Sequence, residues 1–221
     1  MSDESLFREV DEEVRQEQLK KLWDRYGNYV IALAAGVIIA VAALKGWQYW
    51  ELKQSEAAAA TYANALKLIG ENKRGQADDA LKTISYAGFA QIAKLRRAAN
   101  LATEGKSDEA IALYDEVAAD AGADPAARDL ARIRAGYLLA DKLAPAELIK
   151  RLGALDNDQS DWRGAAREVF ALAAYRTGDY AMADRYANAI LADGDVPLSL
   201  RQRAKLLVEL LTPLLGTGAQ K

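Results

Sequence analysis

The sequence contains no cysteine and no histidine among its 221 residues. Without cysteine the chain forms no disulfide and offers no thiol nucleophile, and without histidine it has no imidazole for acid–base chemistry. These absences exclude a Ser-His-Asp or Cys-His catalytic set built from this chain, and a zinc site would have only carboxylates as protein ligands. We therefore predict a protein that is not an enzyme and that has no cofactor and no metal site.

An excess of charge of one sign is also missing. The chain has 29 Lys and Arg against 32 Asp and Glu, a formal net charge of -3, so it lacks the basic surplus of nucleic-acid-binding proteins. Adjacent carboxylates such as Asp78 and Asp79 fall on predicted turns or exposed helix faces, whereas a glycosidase needs two carboxylates facing each other across a cleft. We predict no nucleic acid and no small-molecule substrate as partners.

One long uncharged stretch runs over residues 27–44 and has the sequence GNYVIALAAGVIIAVAAL. As a helix it would be about 27 Å long, close to the hydrocarbon thickness of a bilayer. Tyr and Trp residues flank both of its ends, as is typical where a span meets lipid headgroups. The pattern predicts a transmembrane helix with an aromatic belt over residues 27–50. The alternatives are a buried core helix and a cleaved signal peptide, and no small-residue cleavage site follows the stretch.

The basic residues around this span predict its orientation. Four of them precede it within about 15 positions, whereas only Lys45 and Lys53 follow it, and the more basic side normally stays in the cytoplasm. We expect a single span in a bacterial inner membrane, with a cytoplasmic N-terminus and a periplasmic C-terminal domain. Residues 1–26 are predicted to form a cytosolic helical arm that either lies along the membrane surface or docks a cytosolic partner.

A row of small residues lies within the span. Ala32, Gly36 and Ala40 recur at every fourth position, which places them on one face where another transmembrane helix could approach closely. The same row also fits a span that is simply rich in alanine, and both interpretations stay open.

The remaining chain, residues 51–215, shows helical periodicity and no sustained alternation typical of strands. We predict an all-α fold: the arm and the single transmembrane helix, followed by a tetratricopeptide-like α-solenoid of about four helix pairs plus a capping helix. Residues 216–221 are predicted to be a disordered tail. The predicted pairs are 54–71 with 76–86, 89–104 with 107–120, 125–140 with 145–153, and 160–177 with 180–192, and the cap is 198–211.

A recurring Gly-x4-Ala pattern supports the repeats. It occurs at Gly75/Ala80, Gly105/Ala110 and Gly178/Ala183, with a degenerate copy at Asp141/Ala146. The first positions are 30, 36 and 37 residues apart, near the tetratricopeptide period of about 34. We expect the glycines to end first helices in the left-handed conformation and the alanines to lie where paired helices cross. Ala98 and Ala171 lie seven residues before their glycines, whereas the first copy has the larger Leu68 there.

The layout resembles the YfgM-type ancillary subunit of the SecYEG translocon, whose repeat domain is shared with cell-division coordinators of the CpoB type. The stretches that carry the resemblance are GVIIAVAALKGWQYW at residues 36–50, SEAAAATYANAL at residues 55–66, and the repeats that follow. The resemblance implies association with translocon subunits, a membrane-anchored periplasmic chaperone of the PpiD type and exported client proteins. It brings no catalytic residues.

Three residues are candidates for contacts in a repeat groove. Arg96 and Arg97 belong to a basic cluster in a predicted helix, and Trp162 begins another predicted helix. Each also has a structural interpretation, as a solvated helix face or as a junction between repeats. For the whole chain we expect a membrane-anchored interaction scaffold. The alternatives are a cell-division or envelope-assembly coordinator that binds cell-wall enzymes, and an assembly factor for another membrane complex.

Overall fold

The computed structural model describes the backbone of residues 3–218 and the side chains of residues 19–216. Within these residues the secondary structure is helical throughout, with nine α-helices, one short 3-10 helix at Gly153–Leu155 and no strand. The predicted all-α class is thereby confirmed. The helices are α1 Asp3–Gly70, α2 Arg74–Lys82, α3 Ala87–Thr103, α4 Ser107–Ala119, α5 Pro125–Leu139, α6 Pro145–Leu152, α7 Arg163–Arg176, α8 Tyr180–Ala192 and α9 Leu198–Gly218.

The first helix is longer than any predicted element. The sequence suggested an arm, a span and a first repeat helix, and α1 runs through all three as one helix from Asp3 to Gly70. No proline occurs before Pro125, so nothing removes a backbone donor along this stretch, and isolated glycines such as Gly27 and Gly46 weaken a helix without ending it. By its internal contacts the chain divides into two units, Met1–Glu56 and Ala57–Lys221.

The first unit leaves its apolar side chains exposed. Leu33, Val37 and Ile38 are 70%, 55% and 68% exposed. The described part of α1 contains an 18-residue window with a mean hydropathy of 2.2. This helix is long and apolar enough to cross a bilayer, and it is a candidate single membrane span.

The second unit buries its apolar side chains between paired helices. The helices α3 and α4, α4 and α5, α7 and α8, and α8 and α9 pack against each other, and α5 also contacts α7, which in turn contacts α9. Small residues lie where helices cross, because a short side chain lets two helix axes come close. Larger side chains such as Leu148, Val169 and Phe170 fill the space between the pairs and are fully buried.

Two turns between paired helices have the predicted geometry. Gly105 and Gly178 lie in the left-handed region, with φ of 79° and 82°. The residue after each glycine donates its N–H to a carbonyl five residues earlier, Lys106 to Leu101 at 2.9 Å and Asp179 to Ala174 at 2.9 Å. This hydrogen bond closes a Schellman motif. The following alanines, Ala110 and Ala183, are fully buried.

The first copy of the pattern was assigned in the wrong register. Gly75 lies inside α2, and the left-handed residue at this turn is Asn72, with φ of 62°. Asparagine is the other residue that tolerates this conformation, and the N–H of Lys73 donates to the carbonyl of Leu68 at 2.8 Å. Counting from Asn72, the buried alanine of the second helix is Ala77 and not Ala80.

With the corrected register, the first copy no longer has a large residue at the helix crossing. Seven residues before Asn72 stands Ala65, which is fully buried like its counterparts Ala98 and Ala171. Leu68, which seemed too large for a helix crossing, is only partly buried beside this cluster. All three copies therefore have alanine at the close approach of the first helix.

The degenerate copy at Asp141 and Ala146 does not follow the pattern. Both residues are exposed, and Asp141 is not in the left-handed region. The turn after α5 instead leads to Pro145, which starts α6 with the backbone angle that proline supplies. The buried residue of the first turn of α6 is Leu148, so this pair packs through a leucine and not an alanine.

The other predicted helices recur with boundaries shifted by at most four residues from α2 to α8. The last helix differs more, since α9 continues through Pro213 to Gly218. Residues 216–218 of the predicted tail thus belong to α9, and residues 219–221 lie outside the described part of the chain.

Candidate functional site

A groove of about 880 Å³ opens between α5, α7 and α9. The helices α5 and α7 are the first helices of the third and fourth pairs, and α9 is the capping helix that follows them. Binding pockets for ligands commonly have volumes of about 300–1,000 Å³. The groove is therefore large enough to hold several side chains of a bound segment.

The floor of the groove is apolar. Three core residues line the groove, and each is less than 10% exposed: Ile133, Leu200 and Leu207. Leu172 of α7 lies in the same lining and is 39% exposed. A leucine exposed to this extent beside a buried core leaves apolar surface that a partner could cover.

A hydrogen-bonded charge cluster joins the three helices in the groove. Glu168 of α7 is only 5% exposed. Arg203 of α9 donates from Nε to its Oε1 at 2.6 Å and from Nη2 to its Oε2 at 2.8 Å, and the hydroxyl of Tyr137 on α5 also donates to Oε2. A buried carboxylate is tolerated only when paired and hydrogen-bonded in this way.

The cluster keeps its protons near neutral pH. Burial raises the pKa of the Tyr137 phenol far above its ordinary value, and the hydrogen bond to Glu168 raises it further. The hydrogen bonds to Glu168 likewise raise the pKa of Arg203. Tyr137 therefore stays neutral and Arg203 charged, so both remain hydrogen-bond donors to Glu168.

A glycine brings α7 and α9 together at one end of the groove. A Cβ atom on Gly164 would lie 2.7 Å from Cδ2 of Leu200 and 2.9 Å from Cγ2 of Val196. Both distances are shorter than a normal contact between carbon atoms. Glycine at this position allows the approach of α9, which completes the wall.

A second group of ion pairs lies at the turn between α8 and α9. Arg163 donates from Nε to Asp193 at 2.5 Å and from Nη2 to Asp195 at 3.1 Å. Arg167 pairs with Asp156 at 2.6 Å. The hydrogen bond from Arg163 is the main reason why the pKa of Asp193 is lowered.

Of the three predicted groove residues, the structure brings one to the groove. Trp162 precedes α7, is partly buried against the core and lines the groove. Arg96 is exposed on α3, outside this lining. Arg97 also lies outside this lining: its Nε donates to Asp78 of α2 at 2.7 Å and its side chain is only 19% exposed. It therefore links α2 to α3, and a contact with a partner stays a prediction.

The main groove residues escaped prediction from the sequence. Glu168, Arg203 and Gly164 come from helices whose relative position no local pattern reveals. One signal was available for Glu168, because it is the single acidic residue of α7 and directly precedes the apolar run VFALAA. A lone carboxylate on a buried face requires a partner from another element.

The small residues of the span are exposed in the structure. Ala32, Gly36 and Ala40 lie on α1 in its apolar stretch. A Cβ atom on Gly36 would meet nothing within 4 Å. Their role as a packing face stays a prediction.

No cluster of three or more acidic, histidine or cysteine side chains that could hold a metal ion occurs in the part of the chain whose side chains are described. A family profile described as a tetratricopeptide repeat-like domain matches residues 20–196. The match begins in α1, includes every helix from α2 to α8 and covers well over half of the chain. Searches of curated proteins and of solved structures gave no match.

Proposed function

This chain belongs to the tetratricopeptide repeat-like domain family, and we propose that it is a membrane-anchored scaffold whose groove holds a segment of another protein. Stacked helical repeats present extended surfaces for protein contacts, and such domains generally act by binding rather than by catalysis. The observation that carries the proposal is the groove between α5, α7 and α9, which has an open apolar floor and a fixed polar cluster.

The anchor in this proposal is the apolar part of α1. Its exposed Val, Leu and Ile side chains favour lipid over water by about 0.3–0.6 kcal/mol each. The basic residues before residue 27 would hold the N-terminus in the cytoplasm, and the repeat unit would then face the periplasm of a bacterial inner membrane.

The partners that we propose follow from the resemblance of residues 36–50 to the YfgM-type subunit. The span would associate with translocon subunits through Ala32, Gly36 and Ala40 in the bilayer. The groove would contact a membrane-anchored periplasmic chaperone or exported client proteins.

The experiment is site-specific photo-crosslinking of the full chain in native membranes, followed by mass spectrometry. A photoreactive residue replaces Gly36 in the span, and in a separate variant it replaces Leu172 in the groove. Ile38, on the opposite face of the span, and Gly75, exposed on α2, are the matched control positions. We expect Gly36 to capture translocon subunits and Leu172 to capture chaperone or client chains, each more than its control.

Two other results would change the proposal. Capture of cell-wall enzymes at Leu172, with only lipid at Gly36, would favour the coordinator of division or envelope assembly and reduce the span to an anchor. Equal capture at Leu172 and Gly75 would contradict the role of the groove.

A further inference from the structure

The groove lining contains an arginine that forms no ion pair with the carboxylates of the groove. Arg134 of α5 lies in its lining, is exposed, and has no ion pair among residues 19–216. It stands one helical turn before Tyr137, on the side of α5 that faces the groove. Glu168 already accepts hydrogen bonds from Arg203 and Tyr137, and Asp195 already forms an ion pair with Arg163.

Arg203 also has N–H donors that do not bond to Glu168. A guanidinium carries five N–H groups, and two of them point at Glu168. Although it is held by this pair, the side chain of Arg203 remains 53% exposed. The buried carboxylate therefore holds one edge of the guanidinium, while the side chain stays half exposed in the groove lining.

The row of cations continues beyond the groove. Arg96 of α3 and Arg134 of α5 both lower the pKa of the Tyr114 phenol, against the larger effect of burial, which raises it. Arg96 is exposed as well, so α3, α5 and α9 each carry an exposed arginine.

The remaining carboxylate in the lining lies at the other end. Asp161 precedes α7 and is exposed, next to Trp162. Glu168 follows it by seven residues and lies within α7, which begins at Arg163. The groove thus has an acidic end at Asp161 and a basic part around Arg134 and Arg203.

We infer that the groove selects a protein segment in which large apolar side chains stand next to an Asp or Glu carboxylate. The apolar side chains would cover Leu172 and Leu207, and the carboxylate would accept hydrogen bonds from Arg134 and the outer edge of Arg203. Charged hydrogen bonds of this kind give more selectivity than contacts with the apolar floor alone. This inference rests on the proposed function, since it names the class of segment that the scaffold binds.

The test uses three fluorescent 12-residue peptides with one shared sequence of Leu, Phe and Ala, which differ only in carrying two Glu, two Gln or two Lys. Their binding to the full chain in nanodiscs of zwitterionic lipid is measured by fluorescence anisotropy. We expect the Glu peptide to bind about tenfold more tightly than the Gln peptide, because a hydrogen bond to a charged acceptor is about twice as strong as one to a neutral acceptor. The Lys peptide should bind most weakly, and added salt should reduce the advantage of Glu.

Matched variants assign the effect to the groove. Arg134→Gln should remove most of the preference for Glu over Gln. Arg132→Gln removes the same charge from the same helix at a residue that pairs with Asp129 and is not in the groove lining, so the preference should persist. Leu172→Glu should weaken all three peptides, and circular dichroism checks that each variant is folded.

The outcomes separate this inference from the proposed function. Equal binding of the Glu and Gln peptides, or tighter binding of the Lys peptide, overturns the inference and leaves the scaffold intact. If oleate binds in place of every peptide and Arg134→Gln weakens it, the occupant is a lipid and the inference is overturned. If no peptide binds and the Leu172 photoprobe also captures nothing, both proposals are overturned.

Discussion

The two units of the chain use apolar side chains in opposite ways. In the first unit Leu33, Val37 and Ile38 are more than half exposed, whereas Leu148 and Val169 in the second unit are fully buried. The difference follows from their distribution around the helix. Apolar residues surround α1 on all sides over residues 27–44, but in α6 they occupy one face, with Leu148 and Leu152 buried and charged residues opposite.

This contrast indicates what each unit needs as its environment. A helix that is apolar on all sides cannot be covered by one neighbour, and lipid is the medium that surrounds it completely. A helix with a single apolar face is satisfied by the next helix in a stack. Similar residues therefore lead to a candidate bilayer span in one unit and to a repeat domain in the other.

Truncation of a core side chain should have the largest effect, and only in the second unit. Phe170 is fully buried, and its ring centroid lies 5.3 Å from that of Tyr186. Phe170→Ala should reduce the free energy of unfolding of the repeat unit by about 3–5 kcal/mol, because it removes buried area and leaves a cavity. Hydrogen exchange of α7 and α8 in the full chain measures this loss.

The matched change is Ile38→Ala in the span, where no packed core surrounds the side chain. It should leave hydrogen exchange in α7 and α8 unchanged. A similar loss of protection from both variants would show that the two units do not have separate sources of stability.

A charge in the span should come next in size, and it should act only on membrane insertion. Ile38→Arg places a guanidinium near the middle of the uncharged stretch, at a cost of about 2.5–3.5 kcal/mol. This is comparable with the whole apolar contribution of the span, so a large part of the protein should be released by carbonate extraction. Ala146→Arg, at an exposed position of α6, should stay in the membrane fraction, and equal release of both variants would contradict the assignment of the span.

A single methyl group should distinguish the units more finely. Gly164→Ala should destabilise the packing of α7 on α9 by about 1–3 kcal/mol, because the new Cβ overlaps Leu200 and Val196 and overpacking is costly. Gly36→Ala adds the same atom where nothing lies within 4 Å. It should leave the melting temperature of the repeat unit unchanged. A fall in melting temperature for Gly36→Ala as large as that for Gly164→Ala would contradict this difference between the units.

Local features of the fold were readable from the sequence because their causes are local. Gly105 and Gly178 were identified since few residues adopt the left-handed conformation that ends a first helix. The same reasoning failed at Asn72, because asparagine also takes that conformation, and the nearby Gly75 lies inside α2. It failed again after α5, where a proline starts the next helix and no left-handed residue is needed.

The groove could not be predicted in the same way because it depends on residues distant in the chain. Glu168 and Arg203 are 35 positions apart and Tyr137 and Glu168 are 31 apart, and no periodicity relates them. Arg97 shows the converse, since its basic neighbours suggested a binding surface and its partner Asp78 lies on another helix. Only the stacking of α5, α7 and α9 decides which charges are free.

Acid should have the smallest effect of these changes. It should lower the stability of the second unit only, because the ion pairs of Asp78 and Asp193 lie in that unit. The hydrogen bond from Arg163 lowers the pKa of Asp193. Burial alone would raise the pKa of Asp78, but hydrogen bonds from Lys82 and Arg97 lower it overall. Both carboxylates therefore stabilise the folded state as anions, above the pKa of an unfolded Asp at about 3.9.

This contribution is fully present at neutral pH and is lost as the pH falls through the lowered pKa values of the folded state. The melting temperature of the repeat unit should therefore decrease as the pH is lowered below about 5. Circular dichroism of the full chain measures this decrease. Asp193→Asn should melt lower at neutral pH and show a smaller fall in acid, because one of the titrating groups is gone. Membrane retention depends on apolar side chains that do not titrate, so it should not change over the same range. An equally steep fall in the variant would mean that other carboxylates set the acid sensitivity of this unit.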